Sequence, residues 1–206
     1  EKLCAEAIEF DVAAVCVKPD SVKTASHLLA NSGIQVATVI GFPHGSNTTP
    51  TKCYETSEAI ANGATEIDMV VNISKVLESN WEYVANEIQC ITDVCRIKQV
   101  IIKVIFETAY LSEFHIIKLC EICSQIQVDF VKTSTGFDFV KQNDGKFSTV
   151  GARIEDIIIM KSNISENVKI KASGGIRDSH FFMNLINNGA SRIGTSATKD
   201  ILKELI

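Results

Sequence analysis

The 206-residue chain lacks an apolar run long enough to cross a membrane, which takes about 20 such residues in a helix. No secretory leader is legible at its start. Excess positive charge is missing too. Twenty Lys and Arg stand against 25 Asp and Glu, for a net charge of −5. That balance argues against nucleic acid or an anionic membrane as the main partner and leaves room only for a local basic pocket. Histidine is scarce: His27, His44, His115 and His180 are scattered over predicted helices and a loop, so no metal site is expected. The dinucleotide fingerprint and the Walker phosphate loop are both absent, and no cofactor is implied. A disulfide framework is lacking as well, because the seven cysteines are an odd number. Cys4, Cys90, Cys95, Cys120 and Cys123 fall in helix-like patterns, where the thiol acts as a small buried hydrophobe. The expectation is a reduced, cytoplasmic compartment. Cys120-Glu-Ile-Cys123 has C-x-x-C spacing, but late in a predicted helix and without a partner pair, which argues against a redox or zinc role.

What is present describes an ordinary globular chain, 46% hydrophobic and 22% charged. No break in composition divides it, so one domain over 1–206 is expected. Apolar runs predict strands over 12–17, 36–42, 66–72, 100–106, 126–132, 168–172 and 192–194. Helical periodicity predicts segments over 2–10, 20–31, 50–62, from 80 onward, 112–124, 152–161, 178–188 and the last residues to about 205. Asp20, Asn80, Ser112 and Asp178 are the expected caps, and Pro50 the expected first helical residue. Residues 137–150, with Asn143-Asp144-Gly145, read as a polar loop. Seven strands alternating with eight helices imply parallel strands covered by helices. The expected fold class is α/β, a (β/α)8 TIM barrel whose first strand lies before residue 1. A doubly wound open sheet is the alternative, but it wants a glycine turn after its first strand, and Lys18-Pro19-Asp20 is not one.

The chemistry concentrates at Phe130-Val-Lys-Thr-Ser-Thr-Gly136, a buried strand that ends on Lys132 and opens into a hydroxyl-rich turn. Burial disfavours an ammonium, and a neutral amine in a pocket attacks carbonyls to form a Schiff base. Lys171, on the next strand, brings a second inward cation close by, and like charge lowers a lysine pKa further. Asp68 lies inside an apolar strand and needs a partner; Lys103 and Lys132 both have the right parity. Asp68 then reads either as a structural ion pair with Lys103 or as a proton carrier in a lysine cluster. Gly174-Gly175 and Gly194-Thr195-Ser196 follow the last two strands, where barrels commonly hold phosphate. Arg177 either adds charge there or lies on the surface. The chemistry that remains is metal-free lysine catalysis on a small phosphorylated carbonyl compound.

In this light the sequence resembles the deoxyribose-phosphate aldolase family of class I aldolases. The resemblance rests on Val36-Ala-Thr-Val-Ile-Gly-Phe-Pro43, Asn47-Thr-Thr49, Asn62-Gly-Ala64 and Glu66-Ile-Asp-Met-Val-Val-Asn-Ile73. It continues with Lys103-Val-Ile-Phe-Glu-Thr108, Val131-Lys-Thr-Ser-Thr-Gly-Phe137, Lys171-Ala-Ser-Gly-Gly-Ile-Arg177 and Arg192-Ile-Gly-Thr-Ser196. It implies reversible cleavage of 2-deoxy-D-ribose 5-phosphate to acetaldehyde and glyceraldehyde 3-phosphate. By resemblance Lys132 is the Schiff-base lysine, Lys171 the second lysine that perturbs it, and Asp68 the acidic proton carrier. Cys16 matches a pocket cysteine, and Gly136, Gly174, Gly175, Gly194 and Ser196 match a phosphate cradle. Lys103 and Thr133 join the expected substrate-binding set, and a homodimer is the expected assembly. Three departures stand out: no Asp-His-Thr-x-Leu strand is present, the loop over 138–148 is long, and Val150-Gly-Ala-Arg153 replaces Gly-Gly-Ala-Thr. Competing readings are another Schiff-base aldolase and a barrel that binds a phosphorylated ligand without turnover.

Overall fold

A computed structural model describes residues 1–142 and 144–205; Asn143 of the expected turn lies outside them. The chain runs α1 Lys2–Glu9, β1 Ala14–Val17, α2 Val22–Leu29, β2 Gln35–Ile40, α3 Thr49–Ala61, β3 Glu66–Val70, α4 Ile73–Leu77 and α5 Trp81–Ile97. It continues with β4 Ile101–Ile105, α6 Glu113–Ile126, β5 Phe130–Lys132, β6 Val140–Lys141, β7 Phe147–Ser148, α7 Ile154–Asn163, β8 Lys169–Ser173, α8 Ser179–Asn187, β9 Arg192–Gly194 and α9 Thr198–Leu205. Seven strands form one parallel sheet in the order β1-β2-β3-β4-β5-β8-β9, and β6 and β7 make a separate antiparallel hairpin. Among the described residues no helix is long and apolar enough to cross a membrane.

The sheet curls as a barrel wall does. β3 and β8 are three strand spacings apart in the sheet order, about 14 Å if the sheet were flat. Yet Asp68 on β3 and Lys171 on β8 are in contact at 2.8 Å. Side-chain parity sorts the two faces. Ile67, Met69, Ile102, Val104, Val131, Ile170 and Ala172 point outward into a core shared with the helices. Val84, Ile88, Ile91 and Cys95 supply the α5 stripe to that core, all fully buried. Each large apolar side chain so buried contributes about 1.5–3 kcal/mol. The opposite parity carries Glu66, Asp68, Lys103, Lys132 and Lys171, which are buried and charged. A helix-covered outside and a charged inside define a TIM-barrel wall and exclude the open sheet covered on both faces.

Local rules account for most of the helix starts. The Asn80 side chain accepts the amide of Tyr83 at 3.2 Å and that of Asp178 accepts Phe181 at 2.8 Å. Ser112 forms a capping box in which His115 plays the usual Glu role. Four expectations need correction. Asp20 does not cap α2; Pro19 starts a 3-10 turn over Pro19–Ser21, and Asp20 only accepts from the Ser21 hydroxyl. Pro50 is the second residue of α3, not the first, because Thr49 is already helical. The polar loop over 137–150 contains the β6–β7 hairpin, pinned by stacked Phe139 and Phe147 rings 4.9 Å apart. A short α4, capped by Asn72, follows β3 where no helix was expected. Four of the five helix-patterned cysteines are buried as expected, whereas Cys90 is exposed on α5.

One ion pair outside the barrel holds the end of β3 in place. The Lys52 ammonium, fully buried, donates to Glu87 Oε1 and to the carbonyl of Val70, both at 2.8 Å. Glu87 Oε2 accepts the amide of Asn72 at 2.9 Å. Thus α3 and α5 both grip the strand that carries Asp68. Burial pushes the Lys52 pKa down and that of Glu87 up, so each depends on the other to stay charged. Lys52→Met should therefore cost about 3–5 kcal/mol by stranding a buried carboxylate. The double variant Lys52→Met/Glu87→Gln should recover part of that loss. Urea midpoints of the three proteins check this, and equal midpoints for wild type and Lys52→Met would refute it.

Candidate active site

Three strands deliver one lysine each to a single carboxylate. The registers pair Asp68 with Lys103 across β3 and β4, and Lys132 with Lys171 across β5 and β8. Asp68 Oδ1 accepts from the Lys103 ammonium at 2.7 Å. Asp68 Oδ2 accepts from Lys132 and from Lys171, each at 2.8 Å. The carboxylate is fully buried, and Lys132 and Lys171 are each only 5% exposed. The two sequence readings of Asp68 describe one object: it pairs with Lys103 and is the anion of the lysine cluster. Lys132 ends its strand as expected. Lys171 stands two residues before the end of its own strand, which runs to Ser173.

The pKa values of the two lysines that share Oδ2 are shifted in opposite directions. Burial lowers the Lys132 pKa, Asp68 opposes this, the Lys171 charge adds to the lowering, and the net shift is down. Burial also acts downward on Lys171, but Asp68, Cys16 and Glu66 outweigh it, and the net shift is up. The sequence suggested that mutual repulsion would depress the pair; the structure confines the depression to Lys132. Burial works against ionisation of Asp68, yet Lys132, Lys171 and Lys103 hold its pKa well below the ordinary aspartate range. The arrangement therefore keeps a charged carboxylate and a charged Lys171 beside an amine that loses its proton more easily than Lys171 does. That is the condition for nucleophilic amine chemistry.

A second tier beneath the cluster escaped the sequence reading. Glu66, two residues before Asp68 and on the same face, forms an ion pair with Lys103 at 2.6 Å and accepts from Arg192 at 2.7 and 3.0 Å. Lys103 thus bridges both carboxylates. Arg192 and Lys169 also face the ring of Phe130, at 5.2 and 5.7 Å from its centroid. The signal was there in Glu66-Ile-Asp68, two acids at strand parity, but an acid at a strand's start reads as a solvated end.

The remaining expected residues fall as follows. Cys16 is an exposed residue on β1, and its electrostatic influence reaches both Lys132 and Lys171. Thr133 is buried; its hydroxyl donates to the Ser173 carbonyl and accepts the Ser173 amide, both at 3.1 Å, lacing β5 to β8. The β5 and β8 turns touch: a Cβ on Gly136 would lie 3.7 Å from Gly174 Cα. Gly136, Gly174 and Gly175 have φ of 82°, 99° and 73°, the left-handed region that favours glycine. A Cβ on Gly194 would meet Lys171 Cε at 3.2 Å. Gly175 and Arg177 are exposed on the β8 turn, and Ser196 on the turn after β9. Arg153 of the divergent Val150–Arg153 stretch is tied to Asp156 at 2.8 and 2.9 Å and to the Thr108 carbonyl at 3.4 Å. Cys120 and Cys123 are buried free thiols, and burial pushes Cys120 up to about 12 and Cys123 well above the usual thiol value. Among the described residues no group of three or more His, Cys, Asp or Glu side chains could hold a metal ion.

A parallel α/β barrel with a buried lysine of lowered pKa, a carboxylate and a second lysine in one contact cluster belongs to the class of enzymes that work on carbonyl compounds through an amine. Comparison with known proteins narrows the class. The chain belongs to the DeoC/LacD family of aldolases, whose pattern it matches over residues 1–203. It is 46% identical over 205 residues to the deoxyribose-phosphate aldolase of Caldicellulosiruptor saccharolyticus, covering 99% of this chain and 89% of that one. Among solved structures it is similar to QR15, an aldolase, with a TM-score of 0.88, 38% identity and coverage of 99% and 86% of the two chains. A tetrameric deoxyribose phosphate aldolase from Aeropyrum pernix superposes with a TM-score of 0.87 at 27% identity, covering 99% and 82%.

Asp68→Asn tests the electrostatics directly. Removing the anion takes from three buried lysines the carboxylate they share and should cost about 3–5 kcal/mol. The sign with pH follows from the lowered pKa. Stabilisation by Asp68 is complete above the unfolded carboxyl value of about 3.9 and is lost as pH falls through the lower folded value. The Tm of wild type should therefore fall more steeply than that of Asp68→Asn below about pH 4. Parallel Tm profiles from pH 2 to 7 would show that Asp68 is not the linked group.

Proposed function

We propose that this protein reversibly cleaves 2-deoxy-D-ribose 5-phosphate to acetaldehyde and D-glyceraldehyde 3-phosphate through a Schiff base on Lys132. The observation that carries the reading is the contact of Lys132 and Lys171 with the same oxygen of Asp68, at 2.8 Å each, with only Lys132 shifted downward. Family membership and the names of the relatives support the same activity.

The neutral Lys132 amine attacks the C1 aldehyde of the open-chain sugar. The carbinolamine then loses its hydroxyl as water and leaves a protonated imine. The imine is an electron sink. The C3 hydroxyl gives up its proton, the C2–C3 bonding pair flows toward the imine nitrogen, and glyceraldehyde 3-phosphate departs. Two carbons remain on Lys132 as an enamine. Protonation at C2 regenerates an imine, and water releases acetaldehyde. Lys171 stays charged, which disfavours a second charge on Lys132 in the resting enzyme. Asp68 takes up and returns protons, with water as the intermediary. Lys103, fully paired to Asp68 and Glu66, orients the carboxylate, and Thr133 holds the end of β5 against β8.

The phosphate belongs to the same proposal. The β5, β8 and β9 turns, with Gly136, Gly174, Gly175, Gly194 and Ser196, form its cradle, and Cys16 lines the opposite side of the pocket. No cofactor and no metal is assigned a role. The protein is further proposed to be a single-domain cytoplasmic enzyme that self-associates as a dimer. The tetrameric Aeropyrum relative supports self-association; a monomeric sedimentation mass would refute it.

Borohydride reduction in the presence of acetaldehyde, followed by peptide mapping, tests the nucleophile. The ethyl group should sit on Lys132, and its recovery on Lys171 or Lys103 would overturn the assignment. Lys132→Leu should abolish turnover and trapping together. Lys171→Leu should lose most turnover near neutrality yet retain trapping at high pH, because without the neighbouring charge Lys132 keeps its proton to a higher pH. Ser196→Asp should raise KM by about tenfold or more, a like-charge penalty of about 1.4 kcal/mol against the phosphate. An unchanged KM would remove Ser196 from the cradle.

A further inference from the structure

Glu107, the first residue beyond the Phe106 that follows β4, has no part in the chemistry above. It is 1% exposed, and its backbone is left-handed at φ 58°, an unfavourable conformation for a residue with a Cβ. That twist aims the carboxylate at a single residue of the neighbouring turn. Oε1 and Oε2 lie 3.2 and 3.3 Å from the amide of Thr135, and the Thr135 hydroxyl donates to Oε2. The same hydroxyl oxygen accepts the amide of Phe137 at 2.9 Å. Gly136 is therefore held from both sides by one threonine, and that threonine is held by Glu107.

The backbone on either side of Glu107 serves a different stretch. Phe106 donates to the Lys132 carbonyl at 2.9 Å, and Thr108 donates to the Thr133 carbonyl at 3.1 Å. These bonds fix the end of the nucleophile strand without the carboxylate. The turn beyond it depends on the Glu107 side chain. Burial opposes ionisation of Glu107 and raises its pKa, while the two Thr135 donors act in the other direction. A buried acid in a strained backbone conformation is a costly way to brace a loop unless the loop must be held for a ligand.

We propose that Glu107 is a positioning residue for the phosphate-bearing half of the substrate, setting Gly136 through Thr135 while the Lys132 end is set without the Glu107 side chain. This rests on the reading of Lys132 as nucleophile and of Gly136 as part of the phosphate cradle.

The test compares two substrates of the same reaction, 2-deoxyribose 5-phosphate and unphosphorylated 2-deoxyribose. In Glu107→Ala the ratio of their kcat/KM values should fall about tenfold, the effect of one buried hydrogen-bonding group, and the loss should appear in KM for the phosphate ester. Glu107→Gln keeps an acceptor for Thr135 and should restore most of the ratio. If Glu107→Ala does not fold, Thr135→Ala, which removes the bridging hydroxyl, should lower the same ratio. An unchanged ratio in these variants, or equal losses for both sugars, overturns the inference while the functional reading stands. A wild-type protein that turns over neither sugar removes both.

Discussion

Everything in the barrel interior follows from one buried anion. The Asp68 carboxylate is out of contact with water, and even after relaxation a buried charge costs several kcal/mol. One cation at contact distance is a marginal return for that cost. Three of them, on β4, β5 and β8, hold the group ionised. Those strands can reach one carboxylate only if the sheet curls, so the curvature of the wall and the ionisation of Asp68 depend on each other. The apolar layer between sheet and helices supplies the stability that makes such an interior tolerable. Lys52 and Glu87 extend the arrangement outward by clamping the end of β3 from α3 and α5.

The division of labour between Lys132 and Lys171 is a matter of surroundings. Both are buried to the same degree and both touch the same oxygen. What separates them is their further company. Burial acts downward on both; at Lys171 it is outweighed by Asp68 together with Cys16 and Glu66, whereas at Lys132 the Lys171 charge adds to it and the net shift is down. The lower tier enters this balance through Glu66, which acts upward on Lys171. Pairs of titratable groups driven apart in this way mark the acid and base of a site. Here it is Lys132 and Lys171 that are driven apart, in a chain that belongs to a family of aldolases.

The loops distribute a second task. Glycines in left-handed conformations let the β5 and β8 turns approach each other closely. The inserted β6–β7 hairpin and the rerouted Arg153 change the rim, not the cluster below it. Arg153 spends its guanidinium on Asp156 and Thr108, which explains how the Val150–Arg153 departure leaves the centre intact.

Much of this architecture was written in local pattern. Strand parity at Ile67-Asp68-Met69 announced an apolar outside and a charged inside, because successive side chains on a strand must point to opposite faces. The caps at Asn80, Ser112 and Asp178 were legible because each is satisfied within a few residues. What the sequence could not decide was where local rules compete or run out. Asp20 looked like a cap until Pro19 drew the chain into a 3-10 turn. The hairpin over the long loop depends on Phe139 meeting Phe147, a pairing with no periodic signature. Asp68 showed two eligible lysines in the sequence and has three in the fold, and Glu66 showed none and has two cations. Those numbers are set by the curvature of the sheet, which brings together residues up to 126 positions apart, and no window of sequence contains that distance.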